Sequence, residues 1–104
     1  MYELRMAQLL TKSLQARFKK VGKQETSDPI IIAKFFNPCG AETWYLTEYN
    51  EEENMCYGYV TGFEVGEWGY FSLVELESLR CSPLRLPIER DLYFDEVHFS
   101  KLTV

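Results

Sequence analysis

The chain has 104 residues, of which 46% are hydrophobic and 15% aromatic, and its formal net charge is −5. This length predicts one domain with a single modest core, and this composition is typical of a folded chain, not a disordered one. No apolar run approaches the roughly 18 residues of a membrane-spanning helix, and residues 1–10 lack the pattern of a signal peptide.

Charge is unevenly distributed along the chain. Basic residues outnumber acidic ones in residues 1–28, and acidic residues predominate after that. Between Lys34 and Arg80 there are nine acidic residues, eleven aromatic residues and no lysine or arginine. A field of one sign repels phosphate and attracts cationic protein surfaces. Direct binding of nucleic acid is therefore not expected outside the N-terminal segment.

The number and spacing of the cysteines indicate the cellular compartment. Cys39, Cys56 and Cys81 are odd in number and form no CxxC pair, so they fit neither a disulfide framework nor a zinc site. Reduced, structural thiols are typical of cytoplasmic proteins. We predict a cytoplasmic protein that holds no metal and no cofactor.

The N-terminal segment predicts an amphipathic helix. Apolar residues recur at three- and four-residue steps over residues 4–21. Thr11 could instead be the N-cap of a shorter helix at about residues 12–20, with Gly22 as C-cap. Residues 1–10 would then be a poorly ordered or helical extension. The lysines that lie mainly off the apolar stripe are Lys12, Lys19, Lys20 and Lys23.

Two strands are predicted next. Residues 30–36 are apolar and largely β-branched or aromatic, which favours a buried strand. The turn Asn37–Gly40 joins it to an alternating segment, residues 43–49, which predicts an antiparallel partner. Strict alternation places four side chains of this second strand on one face: Thr43, Tyr45, Thr47 and Tyr49.

A turn at residues 50–54 leads into a third predicted strand, residues 55–64. Gly58 and Gly62 leave gaps on one face of this strand, which indicates a bulge or a site of close packing. A short fourth strand is predicted at Tyr70–Phe71.

The remainder of the chain begins with a capping box, Ser72-Leu73-Val74-Glu75, which predicts a helix over residues 73–80. The helix is expected to bury Leu73, Leu76 and Leu79. Residues 81–87 predict a loop, residues 88–94 a final strand, and residues 95–104 a tail.

These elements predict an α+β fold. We expect a twisted antiparallel sheet of four to five strands, with one or two helices packed on one face. The domain is predicted to span residues 1–104.

Several motifs resemble a known family. They are Lys34-Phe35-Phe36-Asn37-Pro38, the segments Thr43–Glu48, Gly62–Glu64 and Trp68–Arg80, and Ile88–Phe94. Together they resemble the bacterial family labelled domain of unknown function 2958, over the chain from about residue 9 onward. The resemblance implies a cytoplasmic protein of a mobile genetic element, such as a plasmid or a phage-like island. It implies no catalytic residue.

The sequence contains few residues that could form a catalytic site. His98 is the one histidine, so a His-based metal site or triad is not expected. The glycines are not spaced as a phosphate-binding loop. Most acidic residues alternate with apolar ones, as on the wet face of an element. Arg90 falls on the apolar face of the last strand and is predicted to pair with a carboxylate of the sheet.

The leading hypothesis is a non-enzymatic protein that binds a basic partner protein through an acidic, aromatic sheet surface. Inhibition of a host defence protein is a narrower version of it. One alternative is a nucleic-acid accessory protein that uses the basic N-terminal helix, and another is a metal-dependent hydrolase built on clustered carboxylates. Monomer and homodimer both stay open, because an unpaired strand edge could extend the sheet across two chains. The predicted partner-binding residues are Glu48, Tyr49, Glu51, Glu52, Glu53, Glu64, Glu67 and Trp68.

Overall fold

A five-stranded antiparallel sheet forms the centre of the protein in the computed structural model, which describes residues 8–102. In chain order the elements are α1 (Lys12–Val21), β1 (Ile30–Ile31), β2 (Ala33–Phe36), β3 (Thr43–Asn50), β4 (Met55–Thr61), β5 (Glu67–Ser72), α2 (Leu73–Ser78), β6 (Arg80–Cys81), β7 (Leu86–Pro87), β8 (Glu89–Arg90), β9 (Val97–His98) and a 3-10 helix (Phe99–Lys101). The strand order of the central sheet is β5-β4-β3-β2-β8, and the other strands form two two-stranded ribbons, β1-β9 and β6-β7. The predicted α+β class with a twisted antiparallel sheet is confirmed.

One face of the sheet carries the main core. Both helices contribute to it, α1 through Phe18 and α2 through Leu73 and Leu76. On the other face the 3-10 helix lays Phe99 against Tyr59, with ring centroids 5.0 Å apart. The main cluster of buried side chains is Leu9, Leu10, Phe18, Ile32, Ala33, Phe35, Trp44, Leu46, Cys56, Leu73, Leu76 and Ile88.

Helix α1 has the shorter of its two predicted starts. The Thr11 side chain accepts a hydrogen bond from the Leu14 amide at 3.1 Å, which caps the N-terminus. Gly22 ends the helix with φ +68° and donates its amide to the Phe18 carbonyl. Residues 8–11 are not helical, so a helix from residue 4 is wrong for that part, while residues 1–7 lie outside the described residues.

The predicted first strand is two strands in different sheets. Ile30 and Ile31 pair with β9, and Ala33–Phe36 pairs with β3 and β8. At the junction, the Ile32 amide donates to the Leu46 carbonyl at 2.8 Å. The chain changes partner there, and local composition contains no signal for that change.

A bulge in β3 corrects the predicted face of Tyr49. The register of β3 against β4 shifts between Leu46 and Glu48, so Tyr49 pairs with Cys56. One extra residue in a strand reverses the side-chain alternation beyond it. Tyr49 therefore lies on the core face, where its ring packs edge-on against Phe18 with centroids 6.3 Å apart.

The third and fourth strands have bounds that differ from prediction. Strand β4 ends at Thr61, because Gly62 has φ +98° and begins a turn. Strand β5 covers Glu67–Ser72 and is much longer than the predicted Tyr70–Phe71. Its whole length pairs with β4, and this partner supports residues that local composition assigns to a turn.

The capping box of α2 is confirmed, since the Ser72 side chain accepts from the Glu75 amide. The helix ends at Ser78, two residues earlier than predicted. Leu79 is extended and 46% exposed, so its predicted burial is wrong. The end of the helix turns Leu79 away from the core that Leu73 and Leu76 enter.

The C-terminal part consists of more and shorter elements than predicted. The expected loop at residues 81–87 includes a short β6-β7 pairing, and the expected tail includes β9 and the 3-10 helix. The expected strand at residues 88–94 is reduced to Glu89–Arg90, because the Asp91 carboxylate accepts from the Tyr93 amide and forms a turn.

Arg90 has a different partner from the one predicted. Its guanidinium donates to the backbone carbonyl of Leu9, and no carboxylate of the described residues pairs with it. Arg90 thereby holds the segment before α1 against the end of the sheet. Asp91, the neighbouring acid, forms an ion pair with Lys34 at 3.6 Å.

Candidate functional site

A cleft opens where α1 crosses the end of the β3-β4 hairpin. Its volume is about 420 Å³, and we call it the acidic cleft. One wall is the C-terminal half of α1 and the other is the turn between β3 and β4. The lining residues are Gln15, Phe18, Lys19, Gly22, Lys23, Glu48, Tyr49, Asn50, Glu51, Glu52, Glu53, Met55, Tyr57 and Tyr70.

The acidic wall is a turn with defined geometry. The Asn50 side chain accepts from the Glu53 amide at 3.1 Å, and the Asn54 amide donates to the Glu51 carbonyl at 3.3 Å. Asn54 has φ +55°, a left-handed conformation that asparagine tolerates better than most residues. The turn is closed by backbone and amide groups, so its three glutamates, Glu51–Glu53, are free to face solvent.

Asn54 also fastens this turn to the rest of the protein. Its side-chain oxygen accepts from the Val74 amide at 2.8 Å, and its backbone carbonyl accepts from the Leu73 amide. Its side-chain amide donates to the Tyr49 hydroxyl at 3.2 Å. Sequence reasoning missed Asn54. An asparagine that ends an acidic turn is the signal that could have identified it.

Glu48 and Tyr49 line the acidic cleft, but both are engaged within the protein. A Glu48 carboxylate oxygen accepts from the Gln24 amide at 2.9 Å. Gln24 in turn links β1 to β3, since its side-chain amide donates to the carbonyls of Ile30 and Thr47. Burial is the main cause that raises the pKa of the Tyr49 hydroxyl. These two residues hold the cleft in shape, and neither is a freely exposed group.

Two tyrosines that sequence reasoning did not select form the aromatic wall of the acidic cleft. Tyr57 and Tyr70 pair across β4 and β5, with ring centroids 4.8 Å apart. Tyr70 is 73% exposed, which is unusual for a ring of that size. The cross-strand register brings them together, and a register is not visible from either strand alone.

The other three predicted residues lie elsewhere. Glu64 is in the exposed loop before β5, and Glu67 and Trp68 begin β5 itself. Strand β4 runs seven residues between the acidic turn and that loop, a separation of roughly 20 Å at about 3.3 Å per residue. The structure therefore divides the predicted surface into two groups, one at each end of the β4 strand.

Trp68, a member of the second group, is part of an aromatic cluster. It contacts Tyr57, Tyr59 and Phe99, with ring centroids 5.9, 5.3 and 4.8 Å away. It is half-buried, because the C-terminal 3-10 helix covers it on one side. Trp68 is thus a support for the tyrosines of the cleft and a poor candidate for an exposed anchor.

The basic helix meets the acidic turn at this cleft. Lys19 and Lys23 lie on the wall opposite Glu51–Glu53. No ion pair between these lysines and glutamates occurs in the part of the chain that the structure describes. The cleft therefore contains unpaired charges of both signs on facing walls, with an excess of negative charge.

The described part of the chain offers few groups for catalysis. Residues 8–102 contain no group of three histidine, cysteine, aspartate or glutamate residues that could hold a metal ion. His98 has its Nδ1 3.0 Å from the Asp28 carbonyl and does not line the acidic cleft. Between residues 8 and 102, none of the helices has the length and apolar character that a membrane crossing needs.

The fold and the cleft define a small α+β domain with a charged, aromatic surface cleft. The chain belongs to the family described as protein of unknown function (DUF2958), which it matches over residues 5–102. Comparisons with curated proteins and with solved structures found no match.

Proposed function

We propose that this protein is a non-enzymatic binding protein whose acidic cleft holds a cationic segment of a partner protein. The observation that carries this proposal is the fixed turn that presents Glu51–Glu53 to solvent beside the exposed ring of Tyr70. Interactions of the turn within the protein use its backbone and its asparagines, with one weak contact from Asn50 to Glu53 at 3.4 Å.

The chemistry of the cleft suits a guanidinium or an ammonium group. A cation lying over Tyr57 or Tyr70 is attracted by the face of the ring, and the nearby carboxylates accept its hydrogen bonds. Arginine fits better than lysine, since its planar guanidinium can stack on a ring and pair with a carboxylate at the same time. The cleft thereby offers an arginine both interactions in one place, and arginine and tyrosine are among the residues enriched at interface hot spots.

The lysines on the opposite wall refine the partner. Lys19 and Lys23 repel a uniformly basic segment and attract an acidic residue that flanks the cation. We therefore propose a segment in which a cationic residue faces the turn and an acidic one faces α1. Repulsion of this kind is a common source of specificity between related partners.

The nucleic-acid alternative takes second place. Of the four lysines on which it depends, Lys19 and Lys23 share the acidic cleft with Glu48 and Glu51–Glu53. A phosphate chain following α1 would pass these carboxylates and be repelled. Residence in a mobile genetic element, a cytoplasmic location and inhibition of a host defence protein remain parts of the proposal. They rest on the motifs, the cysteines and the acidic surface.

The test compares two variants that each remove three negative charges. Glu51→Gln/Glu52→Gln/Glu53→Gln neutralises the turn, and the control Glu25→Gln/Glu89→Gln/Asp95→Asn neutralises three exposed acids outside the cleft and away from β5. Partners captured from a host lysate by the wild type are purified, and their dissociation constants are measured against all three proteins.

The turn variant is expected to bind a basic partner about 10- to 100-fold more weakly, since three partly screened charge contacts contribute roughly 0.5–1 kcal/mol each. The control is expected to bind within about threefold of the wild type. Equal weakening of both variants would show that only net charge matters. Equal binding by all three proteins, or capture of no basic partner, would contradict the proposal.

A further inference from the structure

Among residues 8–102, strand β5 is an edge of the central sheet with no strand on its outer side. The other edge, β8, has only two residues, whereas β5 has six, all in continuous register with β4. Proteins usually protect a long edge strand with lysine, proline or a bulge. Strand β5 (Glu67-Trp68-Gly69-Tyr70-Phe71-Ser72) has none of these.

Exposed apolar side chains flank both ends of this edge. Phe63 and Val65 precede β5 and are 64% and 68% exposed, and Val74 follows it and is 47% exposed. A groove of about 310 Å³ runs along the strand beside Phe63 and Val65. Exposed apolar residues that cluster around an edge strand mark an interaction surface more strongly than the same residues scattered singly.

We propose that β5 pairs antiparallel with β5 of a second copy of this chain, which joins the two central sheets into one. A twofold axis normal to the sheet leaves the core face of both copies on the same side of the joined sheet. Residues that lie opposite each other across the axis therefore point to the same face. With Tyr70 at the axis, Phe71 of each copy lies opposite Gly69 of the other. A Cβ at Gly69 would meet no atom of the described residues within 4 Å, so a ring from the second copy can occupy this space.

The two ends of the edge are complementary under the same symmetry. Antiparallel pairing brings the loop of one copy, with Phe63 and Val65, to the start of α2 in the other, where Val74 is exposed. Glu67 is the only charged residue on β5, and the two copies of it lie at opposite ends of the paired strands. A strand from an unrelated protein would have to supply both matches independently.

Acidic residues at the rim give this interface a recognisable salt response. Glu64 of one copy and Glu75 of the other come to the same end, and both are exposed. Salt screens their repulsion and leaves apolar contact intact, so the dimer is expected to tighten as salt rises. A cationic partner in the acidic cleft shows the opposite dependence, which separates the two proposals.

Sedimentation equilibrium of the full chain tests the proposal. The edge variant Val65→Glu/Val74→Glu alters neither β5 nor the acidic cleft, and it adds negative charge beside Glu64 and Glu75 of the second copy. The control Leu84→Glu/Leu92→Glu adds the same charge at exposed apolar sites elsewhere. The wild type and the control are expected to reach twice the monomer mass. The edge variant is expected to raise the dimer dissociation constant about 100-fold, since each lost apolar contact contributes roughly tenfold.

Hydrogen exchange locates the interface. Amides of β5 are expected to become more protected as the wild-type concentration rises, and those of β8 are expected to stay unchanged. At about 100 µM, two chains joined by an interface of standard size are expected to be mostly dimeric. A wild type that remains monomeric at that concentration would overturn the proposal. So would a dimer that the edge variant leaves intact, or one without added protection of β5.

Discussion

Gly58 is the position where the structure makes its sharpest prediction about stability. It lies in the middle of β4, paired with Leu46 where the β3 bulge begins. A Cβ built on it would lie 2.0 Å from the Tyr45 carbonyl oxygen and 2.9 Å from the carbon of that carbonyl. Both are backbone atoms, so no rotamer change can relieve the contact. Gly58→Ala therefore requires β3 and β4 to separate.

The cost follows from the size of that separation. Movement of about 1 Å or more is needed to restore a normal contact distance. Such a shift takes one or two ladder hydrogen bonds beyond their useful range, at roughly 0.5–1.5 kcal/mol each, and overpacking adds about 1–3 kcal/mol. The total is about 1.5–6 kcal/mol. Since a domain of this size has roughly 5–15 kcal/mol of stability, the loss is a large part of it.

Gly69→Ala is the matched control, because Gly69 pairs directly with Gly58 across β4 and β5. A Cβ at this position would have no atom within 4 Å in the part of the chain that the structure describes, so alanine is expected to leave stability unchanged or raise it by about 0.5 kcal/mol. Urea unfolding followed by circular dichroism, at low protein concentration, measures both. A Gly58→Ala variant less than about 1 kcal/mol below Gly69→Ala would refute the proposed close approach of the strands.

Two further predictions concern titratable groups. Burial raises the pKa of the Cys56 thiol to about 12, so iodoacetamide at pH 8 should label the two other cysteines in the native protein and Cys56 only after unfolding, as mass spectrometry can show. The hydroxyl and amide of Ser100 donate hydrogen bonds to the Asp28 carboxylate and lower its pKa. The stabilisation from these hydrogen bonds is therefore complete above the ordinary pKa of 3.8, and it is lost as pH falls through the lower pKa of the folded protein. Release of Phe99 should then change the fluorescence of Trp68. Asp28→Ala should show that change already at neutral pH, and an unchanged spectrum would contradict the role given to this contact.

The helix caps were predictable because each depends on residues three or four positions apart. Thr11 and Gly22 bound α1, and Ser72 begins α2, as the sequence indicates. The short ribbons were not predictable in the same way. The sequence predicts a strand at residues 30–31, but it does not predict their pairing with Val97–His98, which it assigns to a tail. Local composition shows which segments favour a strand, and it does not show a pairing between segments far apart in the chain.

The candidate site was predictable in composition and not in arrangement. The acidic turn was identified correctly as a turn, since a run of glutamates between two strand-like segments has few other solutions. Tyr49 was assigned to the wrong face because alternation was carried through the bulge next to Thr47. The position of Lys19 and Lys23 opposite the turn depends on how α1 crosses β3, which periodicity does not contain.

Tyr70 connects the two proposed interactions. Its ring lines the acidic cleft and, in the proposed dimer, lies at the twofold axis. A partner that fixes this ring changes the dissociation constant of the dimer. Linkage then requires dimerisation to change the dissociation constant of the partner by the same factor. A titration of salt separates the direct effects, since the dimer tightens and the partner weakens as ionic strength rises. If coupling is present at constant salt and absent in Tyr70→Ala, the ring carries it. Coupling that survives in Tyr70→Ala would place the connection in the paired strands themselves.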